Sequence, residues 1–223
     1  MARSQKSEFL LAVQAFNPTL VGLPGTASAQ QHIRKKISDY DAKQGGTWNY
    51  ENLYRTLDSV LKGMSVDKAL SFLSQLEGPG EAAAKVAIFK GILKLIKLED
   101  SESVEVGARV IHLKNGKSVS VRPDFSFKDT EGVTCVFAYP NAEPVLKQQQ
   151  REAIVNVLAK PLPLTTEPHF LLIAEYPQLG SKRSFSAERF AFEHRLPDEC
   201  FEDHLSEFFE ISGLGDETGD LFG

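Results

Sequence analysis

Cysteine is scarce in this chain of 223 residues: Cys135 and Cys200 are its only two. Two cysteines build neither a disulfide framework nor a cysteine-rich zinc site. Cys135 falls in an apolar strand pattern, where a cysteine acts as a small buried hydrophobe. No apolar run approaches the roughly 20 residues of a membrane-spanning helix. The early stretch Phe9–Phe16 is short, follows Glu8 and contains Gln14, so it does not read as a secretory leader. No His-Glu-x-x-His, no Gly-x-Ser-x-Gly and no phosphate-loop pattern occurs, which removes the common signatures of zinc proteases, serine hydrolases and P-loop enzymes. No repeat of 20–50 residues is visible. These absences leave a soluble, cytoplasmic protein without a membrane partner as the expectation.

The charge is unevenly placed. Residues 193–223 hold ten acids and one base, a net of −9, which leaves residues 1–192 with 24 bases and 20 acids, a net of +4. A mildly basic body suits a DNA or RNA partner and suits equally a mixed solvated surface. The acidic end closes on Leu221-Phe222, a pair able to dock on a basic, apolar groove of a protein partner, or simply to fray.

Residues 1–80 read as helices. Ser4–Phe16 ends at Asn17-Pro18, and Thr26 or Ser28 caps a helix running to about Lys43. Asn49–Lys62 sets Leu53, Leu57, Val60 and Leu61 on one face, and Ser65 caps a helix carrying Val66, Ala69, Leu70, Leu73 and Leu76. Trp48, Tyr50 and Tyr54 near Arg55 offer a stacking surface for a base or ordinary helix packing. After Gly78-Pro79-Gly80, Glu81–Leu98 turns Val86, Phe89, Ile92, Leu93 and Ile96 inward.

The period then shifts to two. Ala108–Leu113 and Lys117–Phe127 flank Asn115-Gly116, a two-residue hairpin signal, with an interruption at Pro123. Val133–Tyr139 is continuously apolar, as a central strand is. A helix over Pro144–Lys160, a buried strand His169–Glu175 and an edge strand within Arg183–His194 complete the order. The intervening helix is long enough to make the third and fourth strands parallel. The fold class expected is α+β: a helical region over 1–80, a mixed-sheet α-β-β-β-α-β core over 81–192 in two layers, and an acidic segment over 193–223.

Over about residues 81–176 this order resembles the PD-(D/E)XK nuclease-like family, with its restriction-endonuclease-like fold. Its carriers are Pro123-Asp124, the apolar strand Val133–Tyr139, the helix with Gln148, Gln149 and Gln150, and the strand after it. The resemblance implies Mg²⁺ held by Asp124 and by an acid of a Glu-x-Lys on the next strand, with the metal activating water beside a phosphodiester. The Glu-x-Lys is missing: Phe137-Ala138-Tyr139 stands in its place. Glu143 and Lys147, just beyond the strand, are the candidates for a migrated acid and lysine, making Asp124 and Glu143 the metal pair. Glu81 is a candidate for an additional acid, or a first-turn acid that suits the helix dipole. Gln148, Gln149 and Gln150 are candidate nucleic-acid contacts or an exposed first turn. The functions implied are a nuclease-fold module that has lost catalysis and binds nucleic acid or protein, or an active Mg²⁺-dependent endonuclease; where the likeness is superficial, the alternative is a structural or interaction protein, an accessory factor of a mobile element or phage.

Overall fold

The computed structural model describes residues 5–16, 25–42, 51–75, 79–112, 116, 118–139, 145–159, 168–179, 182–192 and 199–213. Among the described residues there are seven α-helices: α1 Gln5–Ala15, α2 Ala27–Ala42, α3 Glu51–Leu61, α4 Val66–Ser74, α5 Pro79–Leu93, α6 Gln148–Ala159 and α7 Glu199–Ser212. The strands are β1 Glu102–Ser103, β2 Arg109–His112, β3 Ser118–Val121, β4 Phe125–Asp129, β5 Gly132–Tyr139, β6 His169–Glu175, β7 Gln178–Leu179, β8 Lys182–Arg183 and β9 Ser186–Ala191.

Five strands form a mixed sheet in the order β1-β4-β5-β6-β9. β4 pairs antiparallel with β1 and β5, β6 pairs antiparallel with β9, and β5 and β6 run parallel with Val133 opposite His169 and Tyr139 opposite Glu175. The parallel pair is joined through α6, the crossover that a parallel connection requires. All eight residues of β5 are buried, which its unbroken apolar sequence requires of a central strand covered on both faces. Gly132 opens β5 at φ +134°, and a Cβ there would lie 2.1 Å from the Pro168 carbonyl oxygen. Only glycine lets that carbonyl come close enough to accept from Val133 N at 3.0 Å.

The expected strand 117–127 is two strands. β3 pairs only with β2, as a separate hairpin with Ile111 opposite Val119, and β4 enters the main sheet. Pro123 lies at the break, where its missing N–H cannot serve a ladder. The outer strand beside β4 is the two-residue β1, not the predicted 108–113. The expected hairpin turn is present at Gly116, with φ +83°; Asn115 lies outside the described residues.

The sheet is covered on both faces, so the expected two layers are three. On one face Leu53, Leu57, Val60, Ala69 and Leu73 of α3 and α4 join Ile88, Phe89 and Ile92 of α5 over Phe125, Phe127, Val136 and Leu172. On the other, α1, α6 and α7 bring Phe9, Ile154, Val157, Phe201 and Phe208 against Cys135, Phe137, Leu171 and Ile173. Both cores therefore draw on residues from either side of residue 80. The acidic end contributes a core helix: Phe201, Leu205, Phe208 and Phe209 of α7 are fully buried while Glu210 faces water. Burial pushes the Cys135 thiol up to about 11, the Ser126 hydrogen bond partly opposing it, as befits a packing residue. Among the described residues, no helix is long and apolar enough to cross a membrane.

Candidate functional site at the ends of the parallel strands

Ligands of open α/β sheets gather beyond the carboxyl ends of parallel strands. Here those ends are Tyr139 of β5 and Glu175 of β6, side by side in the sheet. Asp124 lies at the same end, on the β4 side of β5. Its backbone N–H donates to Val136 O at 2.9 Å, and its Oδ2 accepts from Ala138 N at 2.8 Å. The carboxylate thus supplies a ladder acceptor to β5 at the point where Pro123 turns the backbone away.

The sequence alignment of Asp124 with Phe137-Ala138-Tyr139 is matched in space, and these three residues are core. All are fully buried. Phe137 meets the Phe9 ring edge-on at 5.9 Å, and Tyr139 Oη accepts from Gln14 Nε2 at 2.9 Å. Glu143 lies outside the described residues. Among the described residues no group of three or more His, Cys, Asp and Glu is arranged to hold a metal ion. At Asp124 one carboxylate oxygen serves the sheet, and Phe137-Ala138-Tyr139 beside it brings only the Tyr139 hydroxyl, itself bonded to Gln14.

Lys147 is the residue before α6, exposed, and its N–H donates to Gln150 Oε1 at 2.8 Å. That is half of a capping box, satisfying one donor that a helix start leaves without a partner. Gln150 is buried and donates through Nε2 to Gln14 O at 3.3 Å, tying α6 to α1. Gln148 is exposed and donates to Glu152 Oε1 at 3.2 Å; Gln149 is exposed. The glutamine triplet therefore divides into two surface residues and one packing residue. Glu81 lies in the first turns of α5. Residues 214–223, with the Leu221-Phe222 pair, lie outside the described residues.

Arg151 and Glu175 escaped the sequence. Glu175 ends β6 almost wholly buried, and its Oε2 accepts from Arg151 Nε at 2.8 Å and Nη2 at 2.7 Å. Glu188 on β9 stands 3.8 Å from the same Nε. Glu175 Oε1 is buried without a hydrogen-bond partner. The available signal was a lone acid closing the apolar run HFLLIAE, with a single arginine on the helix before it. Just beyond, Arg183 donates to Tyr176 O from Nε and Nη2, at 3.1 and 2.8 Å, with its guanidinium 4.4 Å over the Tyr176 ring.

Lys147 and Arg151 are one helical turn apart and share a side of α6. With Gln148 and Gln149 they make a polar, hydrogen-bond-donating rim at the start of α6. Such a rim can meet phosphates or base edges; it holds no nucleophile and base in contact. No protein-family model, no curated protein and no solved structure matches this chain.

Proposed function

We propose that the chain is a restriction-endonuclease-like protein that has lost phosphodiester cleavage and binds nucleic acid at the start of α6. The observation that carries this reading is Asp124 beside the buried Phe137-Ala138-Tyr139. It favours a nuclease-type strand pair in which side chains of the hydrophobic core occupy the positions of the metal-binding acid and the lysine. The succession α5, β1, β4, β5, α6, β6 with its parallel last pair supports the same fold, the β2–β3 hairpin being an insertion. Exposed Lys147, Gln148 and Gln149, with the partly exposed Arg151, are the proposed contacts.

A second reading keeps an active endonuclease. Glu143 lies in the short connection between Tyr139 and Val145, so in sequence it joins the end of β5 to the α6 rim, and Asp124, Glu143 and Lys147 would then be the catalytic set with Mg²⁺.

One pair of assays separates these readings. The protein is incubated with plasmid and linear DNA in Mg²⁺ or Mn²⁺, and its affinity for DNA and RNA is measured against salt. The proposal expects intact substrate, binding that weakens with salt, and a shallower salt slope, by about one ion, in Lys147→Ala. Cleavage abolished by Asp124→Ala and Glu143→Ala establishes the second reading instead. Absence of any salt-dependent binding rejects the first and leaves a protein-binding accessory role.

A further inference from the structure

The last four carbonyls of any α-helix lack partners within it. In α1 these belong to Ala12, Val13, Gln14 and Ala15, and the first three are met by hydrogen bonds. Phe16 N donates to Val13 O at 3.1 Å, closing the turn locally. Two more donors come from two other helices. His204 of α7 places Nε2 2.8 Å from Ala12 O and Gln150 of α6 places Nε2 3.3 Å from Gln14 O, while His32 of α2 lies where the Ala15 carbonyl favours its charged form. A carbonyl can only accept, so His204 carries its proton on Nε2.

The two histidines sit in surroundings that disfavour a charge. His204 is 3% exposed, with the rings of Phe16, Phe201 and Phe208 centred 5.5, 6.1 and 6.3 Å away. Burial holds its ionisation far down, at about 4; the Ala12 carbonyl and Glu207 on α7 oppose this, and His32 on α2 reinforces it. His32 is also held below its ordinary range, first by burial and then by Lys36 and Lys35, against the Ala15 carbonyl. On α1 itself, Glu8 is buried one turn before Ala12. Glu207 is shared, since it also accepts from Gly25 N at 3.2 Å.

The same helix end is wired to the rim of α6. Gln14 binds Tyr139 Oη through its side chain and Gln150 through its carbonyl, and Gln150 in turn holds Lys147 N–H. We propose that the last turn of α1 is an acid-labile clasp: protonation of His204 and His32 opens it, and its opening releases the first turn of α6. Charge entering at His204 finds aromatic rings and a second histidine, so the α1–α7 contact separates to hydrate it. Gln14 then leaves Gln150, and the bond that caps α6 loses its anchor. This device is independent of whether the α6 rim binds nucleic acid.

Hydrogen exchange resolved by residue tests it on the full chain. Protection factors of the amides at 12–16 and 148–151 are compared between about pH 7 and about pH 4.5 in the native protein, His204→Gln and His32→Gln. Glutamine retains a donor for the carbonyl and does not titrate. The clasp predicts that both segments of the native protein lose protection together, by at least about tenfold, the change that one pH unit imposes on a single-proton equilibrium. It predicts a smaller loss in either variant. If α6 keeps its protection while α1 opens, or if both variants follow the native profile, the clasp is refuted. Should His204→Gln fail to fold, His32→Gln alone carries the same test, because His32 is only half-buried.

Discussion

Removing Arg151 should destabilise the protein more than neutralising its partner Glu175, although both changes break the same ion pair. The asymmetry follows from burial. The Glu175 side chain is 4% exposed and that of Arg151 is 19% exposed. In Arg151→Ala the Oε2 of the buried carboxylate loses both donors, and its Oε1 has no donor to begin with. An uncompensated buried charge of this kind costs about 3–5 kcal/mol. In Glu175→Gln the amide oxygen still accepts, and Arg151 retains Glu188 at 3.8 Å together with some water. The loss there is that of one charge-assisted hydrogen bond, about 1.5–3 kcal/mol. Urea denaturation monitored by circular dichroism reads the difference. With a denaturant slope of about 2 kcal/mol per molar, the midpoint falls by roughly 1.5–2.5 M for Arg151→Ala and by about half that for Glu175→Gln. A smaller loss in Arg151→Ala than in Glu175→Gln would show that Glu175 is hydrated in solution and refute the reasoning.

Three further outcomes are expected. Stability should fall with acid through His204: its folded ionisation lies near 4 against 6.5 for the free side chain. The unfolded chain therefore binds the extra proton between those values, and stability drops by about 1.4 kcal/mol per pH unit below pH 6.5, about 3 kcal/mol in all, then levels. Denaturation of His204→Gln across that window should lose this slope. Asp124→Asn should leave stability within about 0.5 kcal/mol, because the amide oxygen still accepts from Ala138 N, whereas Asp124→Ala should cost about 1–2 kcal/mol; equal losses would show that charge, not ladder closure, holds the residue. Gly91→Ala should destabilise despite the better helix propensity of alanine, since a Cβ at Gly91 would lie 2.4 Å from the Phe185 ring. Overpacking of this kind costs about 1–3 kcal/mol against a propensity gain of about 1, and Phe185→Leu in the same chain should reverse part of the loss, as measured by melting temperature.

Much of the fold was legible because its signals are local. Period and caps placed α1 to α4 within about two residues of their ends, and the Ser65 cap is present, its Oγ accepting from Lys68 N. The unbroken run Val133–Tyr139 marked the central strand, and the length of the following helix fixed the parallel crossover. What escaped was non-local. A two-residue edge strand such as Glu102-Ser103 has no period to detect. Val119, Val121, Phe125 and Phe127 alternate as one strand would, and only pairing partners distinguish two. From Pro197 the acid-rich end reads as a short amphipathic segment and folds as α7, whose apolar Phe201, Leu205, Phe208 and Phe209 are buried on a helix crowded with carboxylates. At the candidate site, the adjacency of Asp124 and Phe137-Ala138-Tyr139 was legible, since it follows from the hairpin between β4 and β5. Arg151 and Glu175, 24 residues apart, meet only once α6 has folded back on β6. His32 and His204 carry no spacing signal, because their common partner is another helix's backbone.

The capping of α1 also orders events in time. The first described helix is completed by a donor 192 residues further on, in the last described one. During synthesis α1 emerges with Phe9 and Phe16 bare, and waits for α7 to follow before Phe201 and Phe208 cover that side of the sheet. The opposite core closes sooner, since its fully buried residues come from α3, α4, α5, the turn after α5 and strands up to β6. One half of the protein can therefore consolidate while the other is held open by connectivity, and contacts of such long sequence separation are slow to form. A ribosome-bound intermediate with a finished α3–α5 face and an uncovered α1 face is the species that a chaperone would meet.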